Sequence, residues 1–299
     1  MVSDNAQAAE LAKLFEEHRA RLRAVAYRML GSLTEAEDAV QDTWARFVRA
    51  GPESVDNPGG WLTTVVARVC LNALRARSTR REDPVGAYVP DPVVCREDGV
   101  DPETEALWAD SVGLALAVVL DTLNPAERLA FVLHDLFDVP FEEIAPVVGR
   151  SPAAARQLAS RARRRLQGSG AKAPDVDLGA QRVVVDAFLD AARRGDIEGL
   201  VAVLDPNVVL RSDAGVAGVG GPFVVQGAEA VARQARLGAR PGAEVRHVLV
   251  NGAAGVVILA RGRAVAVMGF TVAGGRIIEI DGVTKRQRLQ ELDVASLGA

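Results

Sequence analysis

The sequence predicts a multidomain protein, with two all-α helical domains followed by one α+β domain. Three observations support this fold class: the chain has 299 residues, which is too many for one ordinary core; apolar residues recur at helical spacing through its first half; and alternating, strand-like segments occur only near its end. The predicted boundaries are 8–82 and 105–168 for the helical domains, 177–294 for the α+β domain, and 83–104 and 169–176 for the linkers between them.

The segment "TEAEDAVQDTWARFVRA" predicts an amphipathic helix in the first domain. Thr34 fits the N-cap, and Glu37 three residues later completes a capping box. The apolar face consists of Ala36, Ala39, Val40, Thr43, Trp44 and Phe47. Asp38, Gln41 and Asp42 lie off this face and are therefore expected to point outward.

A turn rich in Pro and Gly precedes the next predicted helix, "WLTTVVARVCLNALRAR". Its inward residues are predicted to be Leu62, Val65, Val66, Val69 and Ala73. Its outward residues include Arg68, Asn72 and Arg75, in a stretch that carries several arginines and no acid.

The segment "EDPVGAYVPDPVVCREDGVDPET" contains four prolines and no apolar period, so it is interpreted as a linker. The second helical domain follows it. In "NPAERLAFVLHDLF", Asn124 is the expected N-cap, Pro125 fits the first helical position, and Glu127 completes the capping box.

The stretch "GRSPAAARQLASRARRRLQG", Gly149 to Gly168, carries six arginines and no acid. A helical segment with Phe141, Ile144, Ala145 and Val148 on one face precedes it, Gly149 supplies a turn, and Ser151 caps the next helix. This order is a helix-turn-helix, although Pro146 inside its first helix is expected to remove a hydrogen bond. The residues predicted to face outward on the second helix are Ala153, Arg156, Gln157, Ser160, Arg161 and Arg164.

Such a helix fits the major groove of DNA, where arginine and glutamine donate hydrogen bonds to base edges and phosphates. Arg163 and Arg165 flank the outward set and are expected to meet phosphate. The alternative for an arginine-rich face is simple solvation, and the complete motif favours DNA contact over it.

Beyond residue 177 the pattern changes to a helix, "AQRVVVDAFLDAARRGDIEGLVAVL", a Gly-rich region, and a short helix near "GAEAVARQARL". Four strands follow: "AEVRHVLVN", "GVVILARG", "AVAVMGFTV" and "RIIEIDGV". The short spacers between these strands predict antiparallel hairpins.

Composition narrows the class of protein. The net charge of −4 argues against general nucleic-acid affinity, although the basic blocks are local. Two cysteines, Cys70 and Cys95, are too few for a disulfide framework or a zinc site, so we expect reduced thiols, no metal and no cofactor. A charged N-terminus and no long apolar run predict a cytoplasmic protein without membrane contact.

Three stretches together resemble the extracytoplasmic-function sigma factors of bacterial RNA polymerase. They are "LFEEHRARLRAVAYRMLGSLTEAEDAVQDTWARF", "WLTTVVARVCLNALRARSTRRE" and "FEEIAPVVGRSPAAARQLASRARRRL", which span Leu14 to Leu166. With the long C-terminal extension, the chain is similar to the subgroup that carries a SnoaL-like α+β cone, of the NTF2-like type. The resemblance implies an alternative sigma factor whose first and second helical domains are sigma regions 2 and 4.

The resemblance also implies partners, which are core RNA polymerase, at its β′ clamp helices and β flap, and promoter DNA. The implied polymerase contacts are Asp38, Gln41, Asp42 and Trp44. The implied contacts to the −10 element are Trp61, Arg68, Asn72 and Arg75. Trp61 could equally be a residue of the hydrophobic core. Arg77, Arg80 and Arg81 are implied to attract phosphate. The implied −35 contacts are Ser151, Arg156, Gln157, Ser160, Arg161 and Arg164.

The linker motif "YVPDPV" resembles the one by which this subgroup clasps its C-terminal domain, and the clasp residues would be Tyr88, Pro90, Asp91 and Pro92. The domain departs from the subgroup in two places. It has "SDAGVAGVGG" where a run of Asp and Gly is usual, and "KRQRL", Lys285 to Leu289, where Asn-Pro-Asp-Lys-Leu is usual.

Two alternatives remain at this point. A stand-alone helix-turn-helix regulator would bind its DNA tightly without polymerase. An enzyme on the SnoaL-like domain would use Asp213, His247 and Asp281 as acid and base. His247 follows Arg246 in a strand pattern, which favours a structural role, so we expect no enzymatic activity.

Overall fold

A computed structural model describes residues 2–51, 57–79, 89–96, 120–168, 175–215, 220–239 and 242–292 of the chain. The chain divides into two compact units. The helical unit comprises Met1–Asp83 and Val119–Ala171, and the mixed unit comprises Pro84–Val118 and Lys172–Ala299. The two predicted helical domains fall within one unit, and their predicted boundaries stay predictions.

The helical unit begins with α1 (Val2–Leu30), α2 (Leu33–Ala50) and α3 (Pro58–Thr79). The N-cap of α2 is Ser32, whose hydroxyl accepts from the amide of Glu35 at 3.4 Å, so the predicted capping by Thr34 is wrong by two residues. Glu37 instead pairs with Arg19 of α1 at 2.7 Å. The predicted apolar face of α2 is buried, except for Trp44, which is half-buried.

Helix α3 starts three residues before the predicted position. Asn57 caps it by accepting from the amide of Gly60 at 3.1 Å, and Pro58 takes the first helical position. Leu62 and Val66 are buried as predicted, whereas Ala73 is exposed and Leu74 is buried in its place.

The second half of the unit contains α4 (Pro125–Phe131), which continues into a π-helical turn (Val132–Leu136), then α5 (Phe141–Val148) and α6 (Pro152–Gly168). Asn124 caps α4 as predicted, accepting from the amide of Glu127 at 2.9 Å. Gly149 has φ +69° and ends α5, and its amide donates to the carbonyl of Ala145. Pro146 is exposed, and α5 continues two residues beyond it.

The two helical blocks of this unit, α1–α3 and α4–α6, share hydrogen bonds. The Nε of Arg128 donates to the carbonyl of Arg28 at 3.1 Å, and Arg21 donates to the carbonyl of Phe137 at 2.8 Å. The Arg128 side chain is buried and pairs with Asp121 at 2.6 Å. Burial of a guanidinium is tolerated here because its charge and two of its nitrogens have partners.

The mixed unit contains four helices and seven strands among its described residues. The helices are α7 (Leu178–Arg194), α8 (Ile197–Val203), α9 (Ala228–Gly238) and α10 (Arg286–Glu291). The strands are β1 (Val94–Cys95), β2 (Leu204–Ser212), β3 (Phe223–Gln226), β4 (Glu244–Val250), β5 (Ala253–Ala260), β6 (Arg263–Ala273) and β7 (Arg276–Val283). The helix predicted as one segment is divided into α7 and α8 at Gly195, which has φ +68°.

The strands form one sheet in the order β1-β4-β5-β6-β7-β2-β3. The predicted hairpins β4-β5, β5-β6 and β6-β7 are confirmed as antiparallel pairs. Three strands were not predicted. β2 runs parallel to β7, β3 continues the edge beside β2, and the short β1 lies inside the predicted linker and pairs with β4.

Each face of the sheet has its own apolar cluster. On the inner face α7, α8 and α9 pack on strand residues that include Leu210, Val256 and Phe270. On the outer face Val89 of the linker and Leu289 of α10 pack on Val248, Val257, Val267 and Val283. The linker therefore contributes to the core of the mixed unit.

Candidate nucleic-acid interface and linker site

Helix α6 presents one exposed polar face, as its periodicity predicts. Ser151 caps the helix, accepting from the amide of Ala154 at 3.3 Å. Ala155, Ala159 and Ala162 are fully buried. The exposed residues of the predicted −35 set are Ser151, Arg156, Gln157, Arg161 and Arg164, and Ser160 is half-buried.

The arginines of α6 divide into two groups by their partners. Arg163 forms a bidentate pair with Asp135 at 2.5 and 3.3 Å, and Arg165 pairs with the buried carboxylate of Glu127 at 2.7 Å. Both were expected to meet phosphate, which stays a prediction, and in the structure each of them pairs with a carboxylate. Within the described residues Arg161 and Arg164 have no acidic partner, so their charge is available to a ligand.

Arg156 is fixed by an aromatic contact. Its guanidinium lies over the ring of Phe141 in α5, 5.1 Å from the ring centroid. A cation over an aromatic face loses less entropy on binding, because the side chain is already positioned. This contact places a charged donor at the start of α6, beside the turn.

Helix α3 presents a second polar face. Arg68, Asn72 and Arg75 are exposed and follow one another at helical spacing. Trp61 is half-buried and packs on Phe47, with ring centroids 5.7 Å apart, so it contributes to the core and keeps an accessible edge. Arg77 pairs with Glu35, while Arg80 and Arg81 lie outside the described residues.

The outward face of α2 is acidic and exposed at two of its predicted positions. Asp38 and Gln41 are exposed, and Asp42 is partly covered by Arg46 at 2.9 Å. Trp44 packs between helices, 5.0 Å from the ring of Phe15 in α1. Trp44 is half-buried and lines the same surface depression as Gln41, and its predicted polymerase contact stays a prediction.

The linker residues 89–96 belong to the mixed unit. Pro90 and Pro92 are buried and Asp91 is half-buried, whereas Tyr88, predicted as the anchor, lies outside the described residues. Val93 donates its amide to the Oδ1 of Asn251 at 2.7 Å and accepts from the amide of Asn251 at 2.8 Å. These bonds extend the pairing of β1 with β4.

Arg288 of α10 is the centre of a polar cluster on the linker. Its Nη2 donates to Asp91 at 2.6 Å and to the carbonyl of Val89 at 2.8 Å, and its Nε donates to Asp91 at 3.1 Å. Its Nη1 donates to Asp213 at 3.0 Å. We call Asp91, Asp213 and Arg288 the clasp cluster.

Arg288 and Asn251 are linker contacts that were not predicted. Asn251 is the first residue of the Asn-Gly turn between β4 and β5 and has φ +50°. A buried asparagine in such a turn is a signal that its amide has a partner. Arg288 lies in "KRQRL", the stretch that departs from the subgroup pattern, so the resemblance gave no reason to select it.

Comparison with known proteins identifies the family. Residues 14–80 match the family model of Sigma-70 region 2, and residues 113–166 match that of Sigma-70 region 4. The chain is 41% identical over 220 residues to the ECF RNA polymerase sigma factor SigJ of Mycobacterium tuberculosis, covering 73% of this chain and 70% of SigJ. The chain belongs to the extracytoplasmic-function sigma factors.

Two further comparisons extend this result. The sigma factor is 40% identical over 215 residues to the probable ECF sigma factor SigI of M. tuberculosis, covering 70% of this chain and 74% of SigI. The crystal structure of SigJ matches it with a TM-score of 0.73 at 34% identity, covering 93% of this chain and 98% of that one. The predicted fold class, helical sigma regions followed by a SnoaL-like α+β domain, is confirmed, and so is the function of an alternative sigma factor in transcription initiation.

The residues of the enzymatic alternative are separated in this sigma factor. Asp213 binds Arg288, and His247 lies on β4, 3.4 Å from Asp186. Asp281 lies on β7, three strands from β4 in the sheet order, which is about 14 Å at the usual strand spacing. The three side chains therefore do not converge on one reacting atom.

Asp281 has a structural environment of its own in the sigma factor. It is buried beside Arg211, whose Nη1 lies 3.2 Å from it, and near Glu279, which also binds Arg211 at 3.1 Å. Burial raises the pKa of Asp281 to about 6, although the Arg211 guanidinium acts in the opposite direction.

The described residues of the sigma factor contain neither a candidate metal cluster nor a membrane-spanning helix. No group of three or more His, Cys, Asp or Glu side chains there is placed to hold a metal ion. No helix in that part of the chain is both long and apolar enough to cross a membrane.

Proposed function

We propose that this sigma factor binds core polymerase through the outward face of α2, and promoter DNA through α3 and α6, while its C-terminal domain holds the linker and restrains initiation. The α3 face would contact the −10 element and the α6 face the −35 element. The clasp cluster carries the regulatory part of the proposal, because it joins the linker to the C-terminal domain through charged hydrogen bonds.

The DNA part is supported by which cations remain available. On α6 the arginines without a carboxylate partner among the described residues, Arg161 and Arg164, lie on the same exposed side as Gln157. An arginine with free donors can take guanine or phosphate, and glutamine can take adenine. The small buried alanines on the opposite side let α6 pack closely on its own unit.

The polymerase part is supported by an exposed polar surface over a rigid base. Asp38 and Gln41 project from α2, and the ring contact of Trp44 with Phe15 fixes α2 against α1. An anchored helix loses little entropy when it docks on a partner helix. Trp44 acts in this proposal as a positioning residue.

The regulatory part is supported by the burial of the linker. Arg288 and Asp91 have side chains that are 19% and 21% exposed, so water screens their attraction only in part. Hydrogen bonds to charged groups in such settings contribute about 2 kcal/mol, and that energy corresponds to roughly a 30-fold change in an equilibrium constant. Release of the linker would let regions 2 and 4 take the positions that polymerase and promoter require.

Reconstituted transcription with purified core polymerase tests the proposal. Arg288→Gln removes the charged bonds to Asp91, and Arg286→Gln, at an exposed position on the same helix, is the matched control. We expect Arg288→Gln to raise initiation at a cognate promoter at least threefold, with Arg286→Gln at the wild-type level. Polymerase affinity should be equal in Arg286→Gln and the wild type, and at least as high in Arg288→Gln, because release of the linker frees regions 2 and 4.

Two outcomes would overturn the proposal. Equal initiation by both variants and the wild type would remove the regulatory role of the clasp cluster. Loss of polymerase binding in Arg288→Gln, with circular dichroism and thermal unfolding unchanged, would place a polymerase contact in the C-terminal domain.

A further inference from the structure

The mixed unit contains a cavity of about 160 Å³ between α7, α9 and the inner face of the sheet. Its walls are mainly apolar, with Leu189, Leu210, Ile258 and Met268 among them. Two hydroxyls, of Ser212 and Thr284, line it where β2 and β7 end. Within its described lining there is no carboxylate and no histidine, so the cavity suits binding rather than acid–base chemistry.

The size and lining of the cavity define a class of ligand. An apolar cavity of roughly 150 Å³ is large enough to bind benzene. The one cation in the described lining, Arg193, is exposed and pairs with Asp190 at 3.2 Å, so an anionic ligand would have to compete with that carboxylate. The cavity therefore favours an uncharged ligand with one small ring.

The two hydroxyls define the polar group of that ligand. Ser212 donates to the carbonyl of Ala214 at 2.8 Å, and Thr284 lies within hydrogen-bond distance of Asp213 and of the same carbonyl. A hydroxyl that gives its proton to such an acceptor keeps lone pairs for another donor. A ligand with one hydroxyl or N–H group would satisfy them, so a phenol fits better than the corresponding hydrocarbon.

The polar end of the cavity is joined to the clasp cluster by consecutive bonds. The amides of Thr284 and Lys285 donate to Asp213 at 2.7 and 3.2 Å. Asp213 in turn accepts from Arg288, which holds Asp91. A shift of Ser212 or Thr284 on ligand binding would thus act on Asp213, the residue that positions Arg288.

We propose that the cavity binds a small, uncharged ring compound with one hydrogen-bond donor, and that this binding is coupled to linker docking through Asp213 and Arg288. The coupling rests on the proposed role of the clasp cluster, whereas the binding site does not. A ligand of this class would act as an effector of the sigma factor.

Methyl NMR of the full-length chain tests the binding site. The sequence contains three methionines, of which Met268 lines the cavity and Met29 is buried in the helical unit. With ¹³C-methyl methionine and p-cresol as the probe, we expect a saturable shift of the Met268 methyl signal and no shift at Met29. Toluene should bind at least threefold more weakly, because it lacks the donor.

Variants in which a larger side chain fills the cavity are the matched control for binding at this site. Ala235→Leu on α9 places three extra carbons in the cavity, and Ala192→Leu on α7 does the same from the other helix if the first variant misfolds. An unchanged Met29 signal reports an intact helical unit, and circular dichroism reports the sheet. Each folded variant should bind p-cresol at least tenfold more weakly than the wild type.

The binding site would be overturned if the Met268 methyl signal did not shift with either p-cresol or toluene up to their solubility limits. It would also be overturned if a folded Ala235→Leu or Ala192→Leu variant bound p-cresol as tightly as the wild type. The coupling has a separate readout, because linkage is reciprocal. Asp91→Asn should change the Kd for p-cresol at least fivefold, and an equal Kd would overturn the coupling. If p-cresol binds but Arg288→Gln leaves transcription unchanged, the proposed regulatory function fails and the site stands.

Discussion

Two arginines two residues apart on α6 should respond in opposite ways to the same substitution. Arg161 is exposed and has no carboxylate partner among the described residues, whereas Arg163 is held by Asp135. We therefore expect Arg161→Ala to weaken promoter recognition without loss of stability. Arg163→Ala should lower stability and leave promoter selectivity unchanged.

The structure sets the size of both effects. The Arg163 side chain is 40% exposed, so solvent screens its pair with Asp135, and its loss should cost about 1 kcal/mol or less. A change of that size lowers Tm by roughly 2–4 °C in a domain of moderate size. An arginine that reads a base contributes about 1–3 kcal/mol, so Arg161→Ala should reduce recognition by about 5- to 150-fold.

The assay pairs thermal unfolding with reconstituted initiation on promoters that differ at single −35 positions. A loss confined to one base position would assign Arg161 to base readout, and a uniform loss would assign it to phosphate. An Arg161→Ala variant that unfolds several degrees lower and initiates normally would refute the assignment of Arg161. An Arg163→Ala variant that keeps its Tm and loses discrimination between promoters would refute the assignment of Arg163.

Three further predictions concern stability and reactivity. Because the pKa of Asp281 is raised to about 6, its contribution to stability is present below the unfolded value of 3.8 and is lost as pH rises through 6. Relative to Asp281→Asn, the wild type should lose on the order of 3 kcal/mol in urea unfolding between pH 4 and pH 7, and a constant difference would contradict this. Gly149→Ala should lower the free energy of unfolding by about 1 kcal/mol, because φ is +69° at this position. Gly221→Ala should change the free energy of unfolding little in the same assay, and equal losses in the two variants would refute backbone strain at Gly149. Burial raises the pKa of Cys70 to about 12, so iodoacetamide should not modify this thiol in the folded chain at pH 8. Peptide mass spectrometry can measure the modification, and rapid modification would contradict the burial of Cys70.

Helical faces could be predicted from the sequence because they depend on local spacing. The apolar period of α2 and α6 gave the buried residues, since each side chain's direction follows from its position along one helix. Helix starts depend also on contacts that are distant in sequence. Ser32 and Thr34 are each followed three residues later by a glutamate, and the second of these, Glu37, pairs with Arg19 on another helix instead of completing a box with Thr34.

The sheet was predicted only where its pairing is local. β4 to β7 form successive hairpins, so turn residues between them were sufficient signals. After its first residue, Leu204, β2 continues with Asp205, Pro206 and Asn207, which are typical of turns, and its register with β7 shifts along that stretch. In its parallel pairing with β7, Arg211 of β2 lies opposite Asp281. These residues are far apart in the sequence, so no local sequence pattern predicts their pairing.

The clasp cluster gives a physical meaning to the two departures from the subgroup pattern. Asp213 lies in the first departing stretch and Arg288 in the second, and the two side chains bind each other at 3.0 Å. Each departure alone weakens the expectation of a linker site. Together they supply a carboxylate and a guanidinium, and the guanidinium also binds Asp91, so the two stretches join the linker to the domain through charged hydrogen bonds. When Asp213 is neutralised, Arg288 keeps its bonds to Asp91 and to the carbonyl of Val89. Asp213→Asn should therefore release the linker less, and raise initiation less, than Arg288→Gln does.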